Sequence, residues 1–106
     1  MEWIYEEDRI KLIDEQGMLM SEATLIKKSN GDIDIEHVYV DSALRGQGIA
    51  GKMMKAVAEY LRENNKKAIA SCSYANAWLH KNKDEYKDVI SSQINDVMAC
   101  RIDGKH

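Results

Sequence analysis

Arg45-Gly46-Gln47-Gly48-Ile49-Ala50-Gly51-Lys52 is a glycine-rich turn set between two different hydrophobic periods. A strand-like run, His37-Val38-Tyr39-Val40, feeds it, and an amphipathic helical pattern follows it directly. A turn in that place exposes backbone N–H groups at a helix N-terminus, where the dipole is positive. Such a place holds phosphate groups. Glycines let the backbone approach the anion closely, because no Cβ stands in the way.

Upstream, the chain reads as an antiparallel β-meander. Arg9 to Asp14 alternates apolar and polar, and a turn falls near Glu15-Gln16-Gly17. A second strand spans Met18 to Lys28, and Asn30-Gly31 marks a tight hairpin. In the third strand, Ile33 to Val40, strict alternation places Ile33, Ile35, His37 and Tyr39 on one face. Downstream of Gly48 the period lengthens. Ile49, Met53, Val57, Tyr60, Leu61 and Asn64 fall on one side of a helix. Ala68 to Cys72 is a short buried strand, and a second helix starts after Ser73 as N-cap. Tyr86, Val89, Ile90, Ile94, Val97 and Met98 have helical spacing, which predicts a docked or dimer-forming tail helix.

The chain has 106 residues, 44% hydrophobic and 31% charged, and reads as a single globular domain. A formal charge of −3 excludes a nucleic-acid binder held by bulk electrostatics. Cys72 and Cys100 are too few for a disulfide scaffold, which points to a reducing, cytoplasmic setting. The acidic N-terminus has no signal-peptide core, and no apolar run has membrane-spanning length. His80 and His106 lack partners at ligand spacing, so no metal is expected.

Gly46-Gln47-Gly48-Ile49-Ala50-Gly51 matches the dinucleotide pattern G-x-G-x-x-G. That fingerprint requires a parallel sheet and an acidic residue about 20 positions on, and Ala70-Ser71-Cys72-Ser73 supplies none. Arg45-x-x-Gly48-x-Ala50 instead resembles the pyrophosphate loop of the GNAT acetyltransferase superfamily. With His37-Val38-Tyr39-Val40 before it and Cys72-Ser73-Tyr74 after it, the chain is similar to the small YjdJ-type branch of that superfamily. The similarity runs from about Arg9 to Ile90, with residues 91–106 as a tail.

The resemblance implies an α+β (α/β) fold: a β-meander, a helix, a parallel strand and C-terminal helices. It implies acetyl-CoA as co-substrate and an unidentified amine or thiol as acceptor. By similarity, main-chain amides from Gln47 to Lys52 hold the pyrophosphate, Gly46 belongs to the same loop, and Arg45 shapes it. Lys52 adds charge near the phosphates. Val38, Tyr39 and Val40 pair with the pantetheine arm as an added strand would.

His37 and Cys72 are the catalytic candidates. Imidazole changes charge near neutrality and can accept a proton from an incoming amine. A cysteine where a strand meets a helix N-terminus favours the thiolate, which could carry the acetyl group in a two-step transfer. The bland alternatives are a hydrogen-bonded core histidine and an inert packed cysteine.

Many superfamily members follow this strand with Asn-x-x-Ala-x-x-Leu-Tyr-x-Lys, whose tyrosine protonates the departing thiolate. Setting Lys81 on that lysine puts Leu79 on the tyrosine, so Tyr74 is the substitute at hand. The helices that enclose the acceptor in larger relatives are missing, and the chain is a monomer or homodimer. The leading expectation is an N-acetyltransferase; the alternative is a non-catalytic CoA-binding module.

Overall fold

The structure, a computed structural model, describes residues 1–94. Its first strand, β1 (Glu2–Glu6), was not anticipated: Trp3 and Tyr5 alternate with Glu2, Ile4 and Glu6 and pair antiparallel with β2 (Arg9–Ile13). β3 (Leu19–Lys27) and β4 (Ile33–Val40) complete the meander through the expected Asn30-Gly31 turn. The helix α1 (Ile49–Glu63) crosses over to β5 (Ala68–Ala70), which pairs parallel to β4. Two helices follow, α2 (Ser73–Lys81) and the short α3 (Lys83–Tyr86). The sheet order is β1-β2-β3-β4-β5, an α+β arrangement.

One face of the sheet carries the core. Ile10, Leu12, Ala23, Leu25 and Ile35 meet Met53, Met54, Val57 and Leu61 of α1 and Ala75 and Leu79 of α2. Burying a side chain of the Val, Leu or Met type contributes roughly 1.5–3 kcal/mol. The helical stripe thus stands at Ile49, Met53, Val57 and Leu61, while Tyr60 is half-buried and Asn64 is exposed. Tyr60 stacks on Tyr5 with ring centroids 5.5 Å apart, tying β1 to the helix. The opposite face is covered by no helix among the described residues. It carries a charge ladder in which Arg9 meets Glu22 at 3.2 Å and Lys11 meets Glu6 at 3.6 Å. A half-solvated face is ordinary for an antiparallel sheet.

Three details differ from the sequence reading. Ser73 is the first residue of α2 and Cys72 its N-cap. The segment after α2 is not one long helix: α3 gives way to a 3-10 turn at Lys87–Val89, and Ile90 then bridges in parallel to Ala68. Val97, Met98 and Cys100 lie outside the described residues. Lastly, β4 carries a bulge. Ile35 pairs with Leu25 and His37 with Thr24, leaving Glu36 as the extra residue. A one-residue insertion moves every later side chain to the other face. His37 and Tyr39 therefore leave the face of Ile35, and Val38 and Val40 take their place against the core.

Candidate functional site

Asp41 ends β4 and prepares the turn. Its N–H donates to the Met20 carbonyl (2.9 Å), and its carboxylate accepts the N–H of Ala43 (3.2 Å). That cap starts a 3-10 turn, Ser42–Leu44. The Arg45 Nε donates to the Val40 carbonyl at 3.4 Å, folding the loop back on the strand it left. Gly46 and Gly48 then sit at φ +86° and +76°, where an L side chain costs roughly 1–2 kcal/mol. Glycine at both positions lets the chain enter α1 at this angle without that strain.

The amides of the turn divide into two sets. Gln47 N–H donates to the Leu44 carbonyl (3.3 Å) and Lys52 N–H to the Gly48 carbonyl (3.1 Å). These two are occupied, contrary to the expectation that the whole run from Gln47 to Lys52 is available. The amides of Gly46, Gly48, Ile49, Ala50 and Gly51 find no acceptor among the described residues. No side chain caps α1, and its first turn holds no acidic residue. Five donors thus stand bare at the positive end of a 15-residue helix.

A second row of polar groups meets them. β5 pairs with β4 only from Ile33–Ala68 to Ile35–Ala70, and a last bond runs from Cys72 N–H to the Ile35 carbonyl (3.1 Å). The chain then turns away into α2, so β4 loses its neighbour from Glu36 onward. Asp41 N–H points toward β3, so by alternation the main-chain groups of Val38 and Val40 point to the vacated side. The bulge at Glu36 causes this switch, because Ile35 faces β5 and His37 does not.

Between the free strand edge and the helix N-terminus lies an open cleft of about 680 Å³. It brings together His37, Val38, Tyr39, Val40, Arg45, Gly46, Gly48, Ile49, Ala50, Gly51 and Tyr74, with Leu44 as a residue the sequence did not single out. Gln47, Lys52 and Cys72 are not on its lining. Lys52 is exposed, and Cys72 is only 8% accessible. His37 is exposed at the cleft, on the outer sheet face beside Thr24 rather than in the core. Burial pushes the Tyr74 phenol above its ordinary value, and the nearby Cys72 adds to the shift. The hydroxyl therefore keeps its proton at neutral pH.

α2 reaches the cleft because it packs against the start of α1. A methyl group at Gly51 would stand 3.9 Å from the Tyr74 hydroxyl and 4.0 Å from the Trp78 Nε1. Sequence reasoning also missed Asp34, a carboxylate only 5% accessible that binds Ser71 just before Cys72. An acidic residue between two isoleucines on an alternating strand reads as solvent-facing, and nothing in the pattern contradicts that. Among the described residues no group of His, Cys, Asp and Glu has metal-site geometry, and no helix is long and apolar enough to cross a membrane.

The family model for the GCN5-related N-acetyl-transferase matches residues 9–89, the stretch that contains the turn, the free strand edge and the β5–α2 corner. The chain belongs to the GCN5-related N-acetyltransferase family. A GCN5-like protein from Staphylococcus aureus, solved in solution, is 40% identical to this family member. The match covers 85% of this chain and 87% of that one, with a TM-score of 0.68. A mutant BH1408 protein from Bacillus halodurans is 16% identical over 85% of this chain and 62% of its own, with a TM-score of 0.52. That second likeness is one of fold. No curated protein matches the chain. Membership agrees with the expected superfamily, and the narrower YjdJ-type likeness rests on the quoted residues alone.

Proposed function

We propose that this GCN5-related family member transfers an acetyl group from acetyl-CoA to an amine, without a covalent enzyme intermediate. The observation that carries this reading is the set of five amides, Gly46, Gly48, Ile49, Ala50 and Gly51, left without acceptors beside the cleft. A diphosphate satisfies several such donors together and is favoured by the helix dipole. The Val38–Val40 edge then receives the amide-bearing pantetheine arm as a short added strand. Either valine's N–H can donate to the thioester oxygen and stabilise the charge that develops there.

The amine nitrogen attacks the thioester carbon, forming the C–N bond as the C–S bond breaks. His37 stands exposed at the cleft and takes the proton the amine loses. Tyr74, held protonated by burial, gives its proton to the departing sulfur. It takes the part that Leu79, buried at the position of the family tyrosine, cannot perform. The burial of Cys72 away from the lining favours direct transfer over a Cys72 thioester. An acetyl adduct on Cys72 in an intact-mass measurement contradicts the direct route.

The second reading is a CoA-binding module without turnover, favoured by that same Leu79. Calorimetry with CoA, then acetyl transfer across an amine panel, separates the readings. CoA binding is expected in the wild type, absent in Ala50→Glu and retained in Cys72→Ala. Binding without transfer to any amine supports the module. No binding at millimolar CoA overturns both.

A further inference from the structure

We propose that Asp34 is a positioning residue whose buried carboxylate fixes the β5–α2 corner, and with it Cys72 and Tyr74, independently of the phosphate-binding turn. Asp34 lies on β4 opposite Ile69, one pair before the last at which β5 runs beside it. Its Oδ1 accepts the Ser71 main-chain N–H at 2.7 Å, and its Oδ2 accepts the Ser71 hydroxyl at 2.6 Å. The next residue, Cys72, donates its N–H to the Ile35 carbonyl at 3.1 Å and accepts the Asn76 N–H at 2.9 Å, the first bond of α2. Three bonds from consecutive β4 residues thus hold the two residues at which the chain turns from strand to helix.

The chemistry of the clamp argues for geometry over bulk stability. Taking a carboxylate out of water is costly, and hydrogen bonds to the charged form offset that cost without a large surplus. No cation pairs with Asp34 among the described residues. An apolar side chain between Ile26 and Ile69, its neighbours on the two flanking strands, would hold the sheet without that cost. What an apolar residue cannot do is seize an N–H and a hydroxyl of one serine together. The bidentate grip sets the direction in which the chain leaves the sheet, and Tyr74 lies three residues beyond Ser71, in the first turn of α2. The five free amides belong to the other wall of the cleft and share no hydrogen bond with this corner.

This inference rests on the proposed function only for the role of Tyr74; the clamp itself is tested without turnover. In a Cys100→Ser background, the rate at which Ellman's reagent modifies Cys72 is compared for wild type, Asp34→Ala, Asp34→Asn and Ser71→Ala. CoA affinity is measured on the same proteins by calorimetry. Asp34→Ala is expected to expose Cys72 and speed its modification at least about tenfold, while CoA affinity stays within about threefold. Asp34→Asn, which keeps an acceptor for the Ser71 N–H, restores most of the protection. Ser71→Ala, which loses one of the two bonds, falls between and serves if Asp34→Ala does not fold. Where an amine substrate is in hand, kcat falls in Asp34→Ala and KM for acetyl-CoA holds. Unchanged thiol protection in both Asp34→Ala and Ser71→Ala overturns the proposal. So does a loss of CoA affinity in step with protection, which marks a general loosening of the fold. If wild type binds no CoA, the proposed function fails and the thiol rates still decide the clamp.

Discussion

Gly48 stands at φ +76° with open space around the position a Cβ would occupy, whereas Gly51 has an ordinary helical backbone. The two glycines therefore answer differently to the same substitution. Gly48→Ala forces an L residue into the left-handed region and is expected to lower stability by about 1 kcal/mol. It also shifts the amides that follow and weakens CoA binding. Gly51→Ala removes a helix-interior glycine and is expected to raise stability by up to about 1 kcal/mol, with CoA binding retained. Urea unfolding and calorimetry on both variants check this; equal losses in both contradict the account. Tyr74 offers a second contrast. Tyr74→Phe keeps the ring and removes the hydroxyl with its proton, so transfer should slow about a hundredfold with CoA affinity unchanged. Because burial raises its pKa, the donor stays protonated beyond the pH at which an ordinary tyrosine ionises. The alkaline limb of the wild-type rate profile is expected to lie correspondingly high.

Among the elements, the least legible were those whose apolar residues do not follow one period. Glu2-Trp3-Ile4-Tyr5-Glu6 sets three apolar residues in a row between glutamates, with no polar–apolar alternation to mark it as β1. Glu36 is a bulge without the glycine that often announces one, so alternation was carried through it and His37 was assigned to the wrong face. Tyr86, Val89 and Ile90 all reach the core from a broken segment, because hydrophobic demand was met by position and not by helix. That segment is fastened to α1 by Arg62. Its guanidinium meets Asp88 at 2.7 and 2.9 Å, Glu59 at 3.3 Å, and lies 5.0 Å from the centre of the Tyr86 ring. The hydrogen bond from Arg62 holds the Asp88 carboxyl below the usual carboxylate value of 3.8. A depressed folded pKa adds stability above the unfolded value, and that stability fades as pH falls through the folded one. Arg62→Ala should therefore lower Tm at pH 7 and lower it much less at pH 3. An equal loss at both values of pH assigns the role of Arg62 to packing on Tyr86.

For the molecule as a whole, the sheet does two jobs with its two faces. The covered face buries the apolar side chains of β2 to β5 under α1 and α2. The uncovered face leaves His37 exposed next to the cleft, where an acceptor can approach without displacing an element. The glycine turn, its strand and its helix were legible because glycine placement and a change of period are local signals. Which face His37 takes and the Asp34–Ser71 grip were not, because both depend on pairing between strands distant in sequence, and which amides are spent depends on the exact path of the turn. The account stands or falls on the five unsatisfied amides. Amide NMR spectra of the labelled protein titrated with CoA read them one at a time. The account predicts saturable shifts concentrated at Gly46, Gly48, Ile49, Ala50 and Gly51, with a second set at Val38 to Val40 and small changes at Gln47 and Lys52. Undisturbed amides from Gly46 to Gly51 at millimolar CoA, or shifts gathered elsewhere on the molecule, would contradict it.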